Sequence, residues 1–415
     1  MAMITEEEVD VLVERLVRRT EKANIYFLEK IGEIIKELRE LRPTEAHQLI
    51  QMLLYGEDYE KIINEISRLT NLSVKDIDNI FYAYAKRDQS FYKDFYKFKS
   101  VPFVEFSKNE TLINQTKALA RATQNEFLKF ARPKVLGYSI TNLDGTKQFM
   151  GLKKTYDRVL DEAILTVGQG KETYNEAMQR IMKEIGESGL RTLDFESGRS
   201  IRLDSMVRQH LKGALKKLHT ANEERIGEEI DFDGWEITTH SNPAPDHQEA
   251  QGRRFTIEEF KKLQNDGIAK DINGKEINMH YERKDGEDAP YFRPIAEYNC
   301  YHVPFSVVLG ATKPEHSEEE LQEIIDRNNK GFEYKGRHYT MYQGTQIQRQ
   351  LETEIRKQKD IQIMAKKSGD MDLIDKSQNK ISKLLKQYKE VSDISKLPMK
   401  VERLKVAGYK RTKKT

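Results

Sequence analysis

The sequence has only one cysteine, Cys300, in 415 residues. An intrachain disulfide is therefore excluded, which is typical of a protein made in a reducing compartment. Long apolar runs are also lacking, since no window approaches the roughly 20 apolar residues of a membrane-spanning helix. The first residues, MAMITEEEVDVLVERL, are acidic and lack the basic and apolar regions of a secretory signal peptide. We therefore expect a soluble chain that is made in the cytoplasm.

Apolar residues are modest in number at 37%, whereas charged residues reach 33%. This balance favours extended helices with large solvated faces over one compact globule. The length allows two or three domains with a real core, and an aromatic content of 9% argues against disorder of the whole chain.

The formal net charge of +2 conceals an asymmetry along the chain. Residues 356–415 contain 18 lysines and arginines against 7 aspartates and glutamates, whereas the remaining residues contain 52 against 61. Such a basic end often faces nucleic acid, although a solvated helix pair explains it equally well. The candidate phosphate contacts lie near the C-terminus: Lys405, Lys410, Arg411, Lys413 and Lys414.

Hydrophobic periodicity predicts a predominantly helical α+β fold with long N-terminal helices, a small mixed α/β module near residues 230–310 and a C-terminal helical hairpin. The first helix is expected over 5–42 and ends at Pro43, and a later one begins at Ser73. Alternating segments predict hairpins at 137–149 and 190–203, after which Asp204 would cap a helix over 205–225. Ser368-Gly369-Asp370 separates the last two helices.

These elements suggest five consecutive segments. We expect an N-terminal helical arm over residues 1–132 and a central helical region with two hairpins over 133–228. The α/β module would follow over 229–312, the C-terminal helical hairpin over 313–395 and a basic tail over 396–415. The aromatic stretch over 81–106 also contains lysines, and this combination can stack on single-stranded nucleic acid. The helical spacing of Phe91, Phe95 and Phe98 instead favours a packing face.

Histidines are concentrated in the α/β module. Five of the nine, and the single cysteine, lie between residues 240 and 316. His240 ends a predicted strand and His247 follows a Pro-Ala-Pro bend, whereas Cys300 and His302 would point the same way on a second strand. If the strands pair, these four side chains converge into a set that suits zinc. A loop held by hydrogen bonds without metal is the alternative.

Catalysis is a further alternative for the same residues. A Cys300–His pair is conceivable, but a strand does not lower a thiol pKa as a helix N-terminus does. Asp246 and His247 would face opposite ways in an extended segment, which weakens a direct dyad. Nucleotide-binding signatures are missing, since the glycines at 168 and 170 lack the loop length and hydroxyl of a phosphate loop.

The motifs of the module resemble those of the tailed-bacteriophage minor capsid protein family, which is distantly similar to the phage Mu head morphogenesis protein F. The resemblance covers roughly residues 135–390. Residues 1 to about 130 resemble the family only in their helical pattern and in their place in the chain. It rests on THSNPAPDHQEAQGRRF, on NCYHVPF, and on the pattern from Tyr342 to Lys359. The motif residues also include Trp235, Pro245, Asp246, Gln251, Gly252 and, upstream, Arg208. Departures are Asn242-Pro243-Ala244, Ala250 and Tyr301, where the family has Gly-Ala-Arg, Trp and Arg.

The resemblance implies a structural, non-enzymatic virion protein that acts in head morphogenesis. It implies contacts with the portal protein, other head proteins and packaged double-stranded DNA, a place in the head interior or at the portal vertex, assembly in the host cytoplasm, and no membrane in the head-bound state. The alternative is a phage-borne enzyme or toxin, hydrolase-like or nuclease-like, built on His240, His247, Cys300 and His302. A nucleic-acid-binding regulator is a third hypothesis, but no helix-turn-helix or finger motif supports it.

Overall fold

The structure is a computed structural model that describes residues 6–41, 43–141, 145–169, 174–194, 198–281, 292–296, 300, 302–310 and 313–410. Helices dominate it, and the predicted α+β class is confirmed. The helices are α1 Glu6–Glu40, α2 Pro43–Tyr55, α3 Asp58–Phe91, α4 Lys93–Phe98, α5 Glu110–Ala131, α6 Leu152–Gln169, α7 Tyr174–Ser188, α8 Leu203–Ile230, α9 Ile257–Asp266, α10 Glu318–Lys330, α11 Met341–Ser368 and α12 Met371–Ser395. Among the described residues, no helix has a stretch apolar and long enough to span a bilayer.

The strands are short. They are β1 Leu136–Thr141, β2 Lys147–Gly151, β3 Arg191–Leu193, β4 Ser200–Arg202, β5 Gly234–Ile237, β6 Arg254–Thr256, β7 Ile268–Lys270, β8 Glu276–Asn278, β9 Pro304–Val307, β10 Phe332–Tyr334 and β11 Arg337–Tyr339. Both predicted hairpins are present, and they join into one antiparallel sheet in the order β2-β1-β3-β4.

Helix α1 lies at the centre of the main core. In its apolar stripe Leu16, Phe27, Ile31 and Ile35 are fully buried, and the helix packs against α3, α8 and α11. One cluster of buried side chains extends from Val13 in α1 to Ile374 in α12. The predicted N-terminal, central and C-terminal segments therefore share a hydrophobic core, and the division into five segments stays a prediction about chain order.

The prediction of a helix that begins at Ser73 was wrong. Helix α3 runs without a break from Asp58 to Phe91. Ile66 precedes the expected break, and Ile77 and Phe81 follow it; all three are buried in the same core. Their packing keeps this segment helical.

The module near residues 230–310 has its own small core. Strands β6-β5-β9 form an antiparallel sheet in which Trp235 faces Ser306 and Ile237 faces Pro304. Helix α9 begins at its cap Thr256 and covers this sheet together with the β7–β8 hairpin. The buried side chains are Ile237, Ala250, Phe255, Phe260, Leu263, Ala269, Ile277, Met279 and Ile295.

The C-terminal hairpin forms as predicted. Gly369 adopts a φ of +71°, which a glycine reaches at no steric cost, and the Asp370 side chain caps α12 by accepting from the Leu373 N–H at 2.9 Å. The aromatic stretch packs mainly through Tyr92 and Tyr96, which are buried against Ile226 and Ile230 with Phe91 and Phe95 partly buried beside them. The predicted face is wrong at Phe98, which is exposed.

Residues 396–410 are not a loose tail. After Lys396 the chain turns back, and a short 3-10 helix at Val401–Leu404 buries Arg403 and Leu404. The Arg403 guanidinium pairs with Asp10 of α1 at 2.7 Å. The basic tail predicted over residues 396–415 is therefore folded onto the rest of the chain at Val401–Leu404, which packs against α1 and α11.

Candidate functional site

The candidate site lies where β5 and β9 end side by side. The predicted strand from Trp235 to His240 stops at Ile237, and the second strand begins only at Pro304. Cys300 and His302 therefore precede the strand instead of lying on it, which corrects the sequence prediction. Pairing continues one step beyond β5, where the Thr238 N–H donates to the Val303 carbonyl at 3.1 Å.

The loop between β5 and β6 folds back through consecutive turns. The His247 N–H donates to the Ala244 carbonyl at 3.0 Å, and the Gly252 N–H returns to the Ile237 carbonyl at 2.8 Å. Gly252 has a φ of +69°, and a Cβ there would lie 2.3 Å from Cδ2 of Leu321. The motif glycine is thus required both by its backbone and by its surroundings. The extended segment expected at Asp246 and His247 is wrong.

Three of the four predicted ligands meet in a buried cluster. The Cys300 Sγ lies 3.3 Å from Nδ1 of His247 and 3.6 Å from Nδ1 of His302. His240 lies beside this group, with its ring centroid 4.5 Å from that of His302, but His240 is not among the three residues whose ligand atoms lie within 4.8 Å of one another. His280 and His316 contact Asn278 and Thr239 instead.

The outer nitrogens of both imidazoles are held by oxygen atoms. Nε2 of His247 donates to the Arg293 carbonyl at 2.7 Å. Nε2 of His302 lies 3.2 Å from Oε1 of Gln251, which also accepts the backbone N–H of His240 at 2.9 Å. The motif residue Gln251 therefore joins the end of β5 to the segment that precedes β9.

The pKa values of the cluster follow from burial and mutual contact. Burial raises the pKa of the Cys300 thiol, but the hydrogen bond and charge of His247 outweigh it, so the net pKa is lowered. Burial lowers the pKa of His247, yet the contact with Cys300 raises it overall. Burial, with the neighbouring His240 and His247, holds the pKa of His302 well below its usual value. The chemistry therefore favours a thiolate beside at least one neutral imidazole.

Among the remaining motif residues of the module, Asp246 supports this cluster, whereas Trp235 and Pro245 lie elsewhere. Asp246 accepts two hydrogen bonds from Arg293, at 2.6 and 2.9 Å, which places the Arg293 carbonyl against His247. The Trp235 ring stacks on Phe260 with centroids 5.4 Å apart. Pro245 is exposed at the outside of the bend.

A second buried polar cluster was missed by sequence reasoning. Asp88 of α3 accepts from Nδ1 of His219 at 2.7 Å, and Nε2 of His219 donates to the Pro304 carbonyl at 3.0 Å. Glu223 accepts from Tyr92 and, at 2.6 Å, from both the N–H and the hydroxyl of Ser306. The available signal was the i, i+4 spacing of His219 and Glu223 on the apolar face of α8. These ligand atoms also lie close enough for a metal, but each has a protein partner.

Arg208 has a structural role in the main core. It forms a fork with Glu14 of α1, at 2.5 and 3.0 Å, and pairs with Asp204 at 3.1 Å. Asp204 does not cap α8 as predicted; the cap position is Arg202, and Asp204 lies buried in the first turn. Its carboxylate is used by buried arginines, which explains why it is not at the cap.

A groove with a volume of about 910 Å³ runs along one face of α8. Its floor includes Gln209, Gly213 and Lys217, and its walls include Ala122 of α5 and Arg349 of α11. At Gly213 a Cβ would meet no atom within 4 Å. The groove therefore has room above the helix backbone.

Two of the five predicted nucleic-acid contacts lie within the described residues. Lys405 and Lys410 are exposed, although Lys405 also pairs with Glu402. Arg411, Lys413 and Lys414 lie outside the described residues.

Comparison with known proteins gives one family. A model described as phage minor capsid protein 2 matches residues 4–391, which includes the N-terminal helices for which the motifs gave no evidence. No curated protein and no solved structure matches. Because the match covers nearly the whole chain, this protein belongs to the phage minor capsid protein 2 family and is a structural minor head protein of the virion.

Proposed function

We propose that the protein acts in head morphogenesis at the portal vertex, inside the head, where it contacts the portal protein and packaged double-stranded DNA. It would be assembled there from chains made in the host cytoplasm. The observation that supports the DNA contact is a row of exposed lysines on α12. Family membership shows that the protein is a component of the virion. The exposed surface of the chain suggests how it binds its partners.

The exposed lysines follow α12 and continue past its end. The buried Arg356, Lys359 and Arg403 are committed to the core, so part of the basic excess of the sequence is not available to a partner. Those that remain exposed are Lys376, Lys380, Lys383, Lys386, Lys389, Lys396, Lys405 and Lys410. Within α12 the lysines from Lys376 to Lys389 extend over about 20 Å, rather more than half of one turn of DNA. Such contacts are sequence-independent and salt-sensitive.

Replacing four α12 lysines by glutamine is expected to flatten the salt dependence of DNA binding. Each lost phosphate contact lowers the slope of log K against log salt by about 0.9. Binding of the full chain to a mixed-sequence duplex is measured across a salt series. Glutamine keeps the helix propensity, so the fold is retained. The four positions are Lys380, Lys383, Lys386 and Lys389.

The matched control changes the same number of exposed lysines elsewhere and should leave the slope unaltered. An equal loss of slope in both variants would refute the proposed surface. Deletion of residues 396–415 is unsuitable, because it removes the buried Arg403 and Leu404. The control positions are Lys108, Lys117, Lys129 and Lys134.

We propose that the groove along α8 receives a helix of the portal protein. Helices α5, α8 and α11 already line it, and small residues such as Gly213 and Ala221 allow another helix backbone to approach. Helix-in-groove docking uses this arrangement, with apolar anchors such as Leu119 and Met206 below the ligand helix.

Filling the groove is expected to abolish portal binding without unfolding the chain. Gly213→Leu places a side chain in open space and improves helix propensity, whereas Gly213→Ala adds only a methyl group and should bind normally. The measurement is co-purification with the portal protein, with a photo-crosslinker at Lys217 in assembling heads. Undiminished binding by Gly213→Leu, or crosslinks only to other head proteins, would contradict the docking site.

We propose further that the protein has no enzymatic activity. The outer nitrogens of His247 and His302 are occupied by oxygen acceptors, which leaves neither ring placed as a base toward solvent. Hydrolase or nuclease activity of the purified chain that is lost in a folded His247→Ala variant would overturn this and favour the enzyme alternative.

A further inference from the structure

We propose that His247, Cys300 and His302 bind a zinc ion that joins the turn-rich loop after β5 to the segment before β9. Nothing in the family assignment implies a metal. The inference rests on the spacing of three ligand atoms and on the direction of the hydrogen bonds around them.

The spacing agrees with tetrahedral zinc. Bonds of about 2.3 Å to sulfur and about 2.0–2.1 Å to nitrogen place the sulfur and nitrogen ligands of such an ion about 3.6 Å apart. The Cys300 Sγ lies 3.3 Å from Nδ1 of His247 and 3.6 Å from Nδ1 of His302. Cysteine thiolate and histidine imidazole are both ligands that zinc binds in proteins.

The hydrogen bonds around the cluster decide which nitrogens carry protons. A carbonyl only accepts, so Nε2 of His247 must donate to Arg293. The backbone N–H of His240 only donates, so the Gln251 atom that it meets is the amide oxygen, and Nε2 of His302 must donate to that oxygen as well. In their neutral forms both rings therefore direct an Nδ1 lone pair at the same sulfur.

Without a cation this arrangement is not satisfied. One thiol proton serves only one of the two nitrogens, and if His247 is instead protonated beside a thiolate, the lone pair of His302 still faces the sulfur. A buried acceptor left without a donor costs about 1–3 kcal/mol. A zinc ion accepts all three lone pairs at once, which removes that cost.

The surroundings also fit a metal centre. Metal-binding histidines usually donate their second nitrogen to a carbonyl or carboxylate, and here Arg293 and Gln251 supply those oxygens. Asp246 in turn fixes Arg293 through two hydrogen bonds. His240, whose ring lies against His302, is well placed to reach the fourth position by rotation of its side chain.

The Asp88–His219–Glu223 cluster provides an internal comparison. Its ligand atoms are equally close, but there the ring nitrogens both donate and the carboxylate oxygens all accept. The hydrogen-bonding groups of that cluster are all satisfied without an ion, so the proposal is confined to the cysteine cluster.

The test uses the full-length chain purified without chelator. We expect close to one zinc per chain by elemental analysis. Cobalt(II) exchanged into the protein should give a sulfur-to-cobalt charge-transfer band, and chelator should lower the Tm. Cys300→Ser should lose the band and most of the zinc, and His247→Gln should weaken zinc binding about 10–100-fold or more, as loss of even a supporting residue does.

Two controls keep the result interpretable. His280→Gln and His316→Gln remove histidines outside the cluster and should retain metal and band. The circular dichroism spectrum of each variant checks that the chain is folded. Folded wild-type protein with neither stoichiometric zinc nor a cobalt–thiolate band would overturn the proposal and leave the hydrogen-bonded loop, as would a Cys300→Ser variant that keeps its zinc.

Discussion

Asp204→Asn is expected to lower the free energy of unfolding by about 3–5 kcal/mol, the usual cost of removing one partner from a buried ionic group. The Asp204 carboxylate is buried and lies 3.2 Å from Nε of Arg202, 3.1 Å from Nη1 of Arg208 and 3.3 Å from Nε of Arg356. Asparagine keeps the shape but leaves three arginines without their shared anion. Urea unfolding at neutral pH, followed by circular dichroism, measures the loss.

The pH dependence of this contribution has a defined sign. Burial raises the pKa of Asp204, but the three arginines outweigh it and hold the pKa far below its usual range. A carboxyl group whose pKa is lower in the folded state stabilises above its unfolded value and loses this effect only as pH falls through the folded value. The difference between wild type and Asp204→Asn should therefore vanish only in strong acid. Between about pH 5 and 8 it should also vary, because burial and the Asp204 charge raise the pKa of the neighbouring Glu21 to about 7 and that of Asp360 to about 6.

Asp375→Asn is the matched control, since Asp375 is exposed on α12 and its loss should cost less than about 0.5 kcal/mol. If Asp204→Asn were as mild as this control, the other carboxylate partners, Glu14 and Asp360, would be sufficient for the arginines. The main core would then not depend on the Asp204 carboxylate.

Asp88→Asn is expected to cost a similar amount, about 3–5 kcal/mol, and to change the response to alkaline pH. Both ring nitrogens of His219 meet acceptors, Asp88 and the Pro304 carbonyl, so the ring carries two protons and a positive charge. Asparagine would remove the counter-ion and set its amide against that of Asn222, which donates to Asp88 at 2.9 Å. Unfolding free energies between pH 6 and 10 measure both effects.

The direction in which stability changes at alkaline pH follows from the pKa of His219. Burial lowers its pKa, but Asp88 and Glu223 outweigh this and raise the pKa from 6.5 to about 9. The contribution of the charged ring is complete below pH 6.5 and is lost as pH rises through about 9. Tyr84 and Tyr92 do not titrate in this range, because burial raises their pKa values well above 10.

Wild type should therefore lose stability between pH 7 and 10 more steeply than Asp88→Asn does. Asp78→Asn, an exposed change on the same helix, should follow the wild-type curve. Parallel curves for wild type and Asp88→Asn would show that the ring is neutral in the folded protein. They would exclude a charged contact between α3 and α8.

Much of the secondary structure could be predicted because it depends on neighbours in the chain. The apolar stripe of α1, the alternation of the two hairpins and the Ser-Gly-Asp break before α12 are local signals. The break expected at Ser73 failed for the opposite reason. Burial of Ile66, Ile77 and Phe81 in the shared core outweighs a local capping signal.

The candidate metal site was predicted from residue types, but its geometry was not. Scarce histidines around one cysteine indicated convergence, whereas the expected strand at Cys300 and His302 does not exist. What brings the ligand atoms together is a series of turns closed by Gly252 and Gln251. The Asp88–His219–Glu223 cluster was missed because Asp88 comes from α3, which is far in sequence from the pair on α8.

The sequence by itself determined the helical class, the hairpins, the family motifs and the excess of basic residues at the C-terminal end, because periodicity, turn chemistry and composition are written into short stretches of chain. Only the tertiary structure decided which charges serve the core and which face a partner. Arg356 and Arg403 count equally with Lys383 and Lys389 in the composition, yet the two arginines are buried beside Asp204 and Asp10 while the lysines are exposed. The reason is physical: burying a cation requires an anion within a few ångströms, and only the folded chain brings the two together.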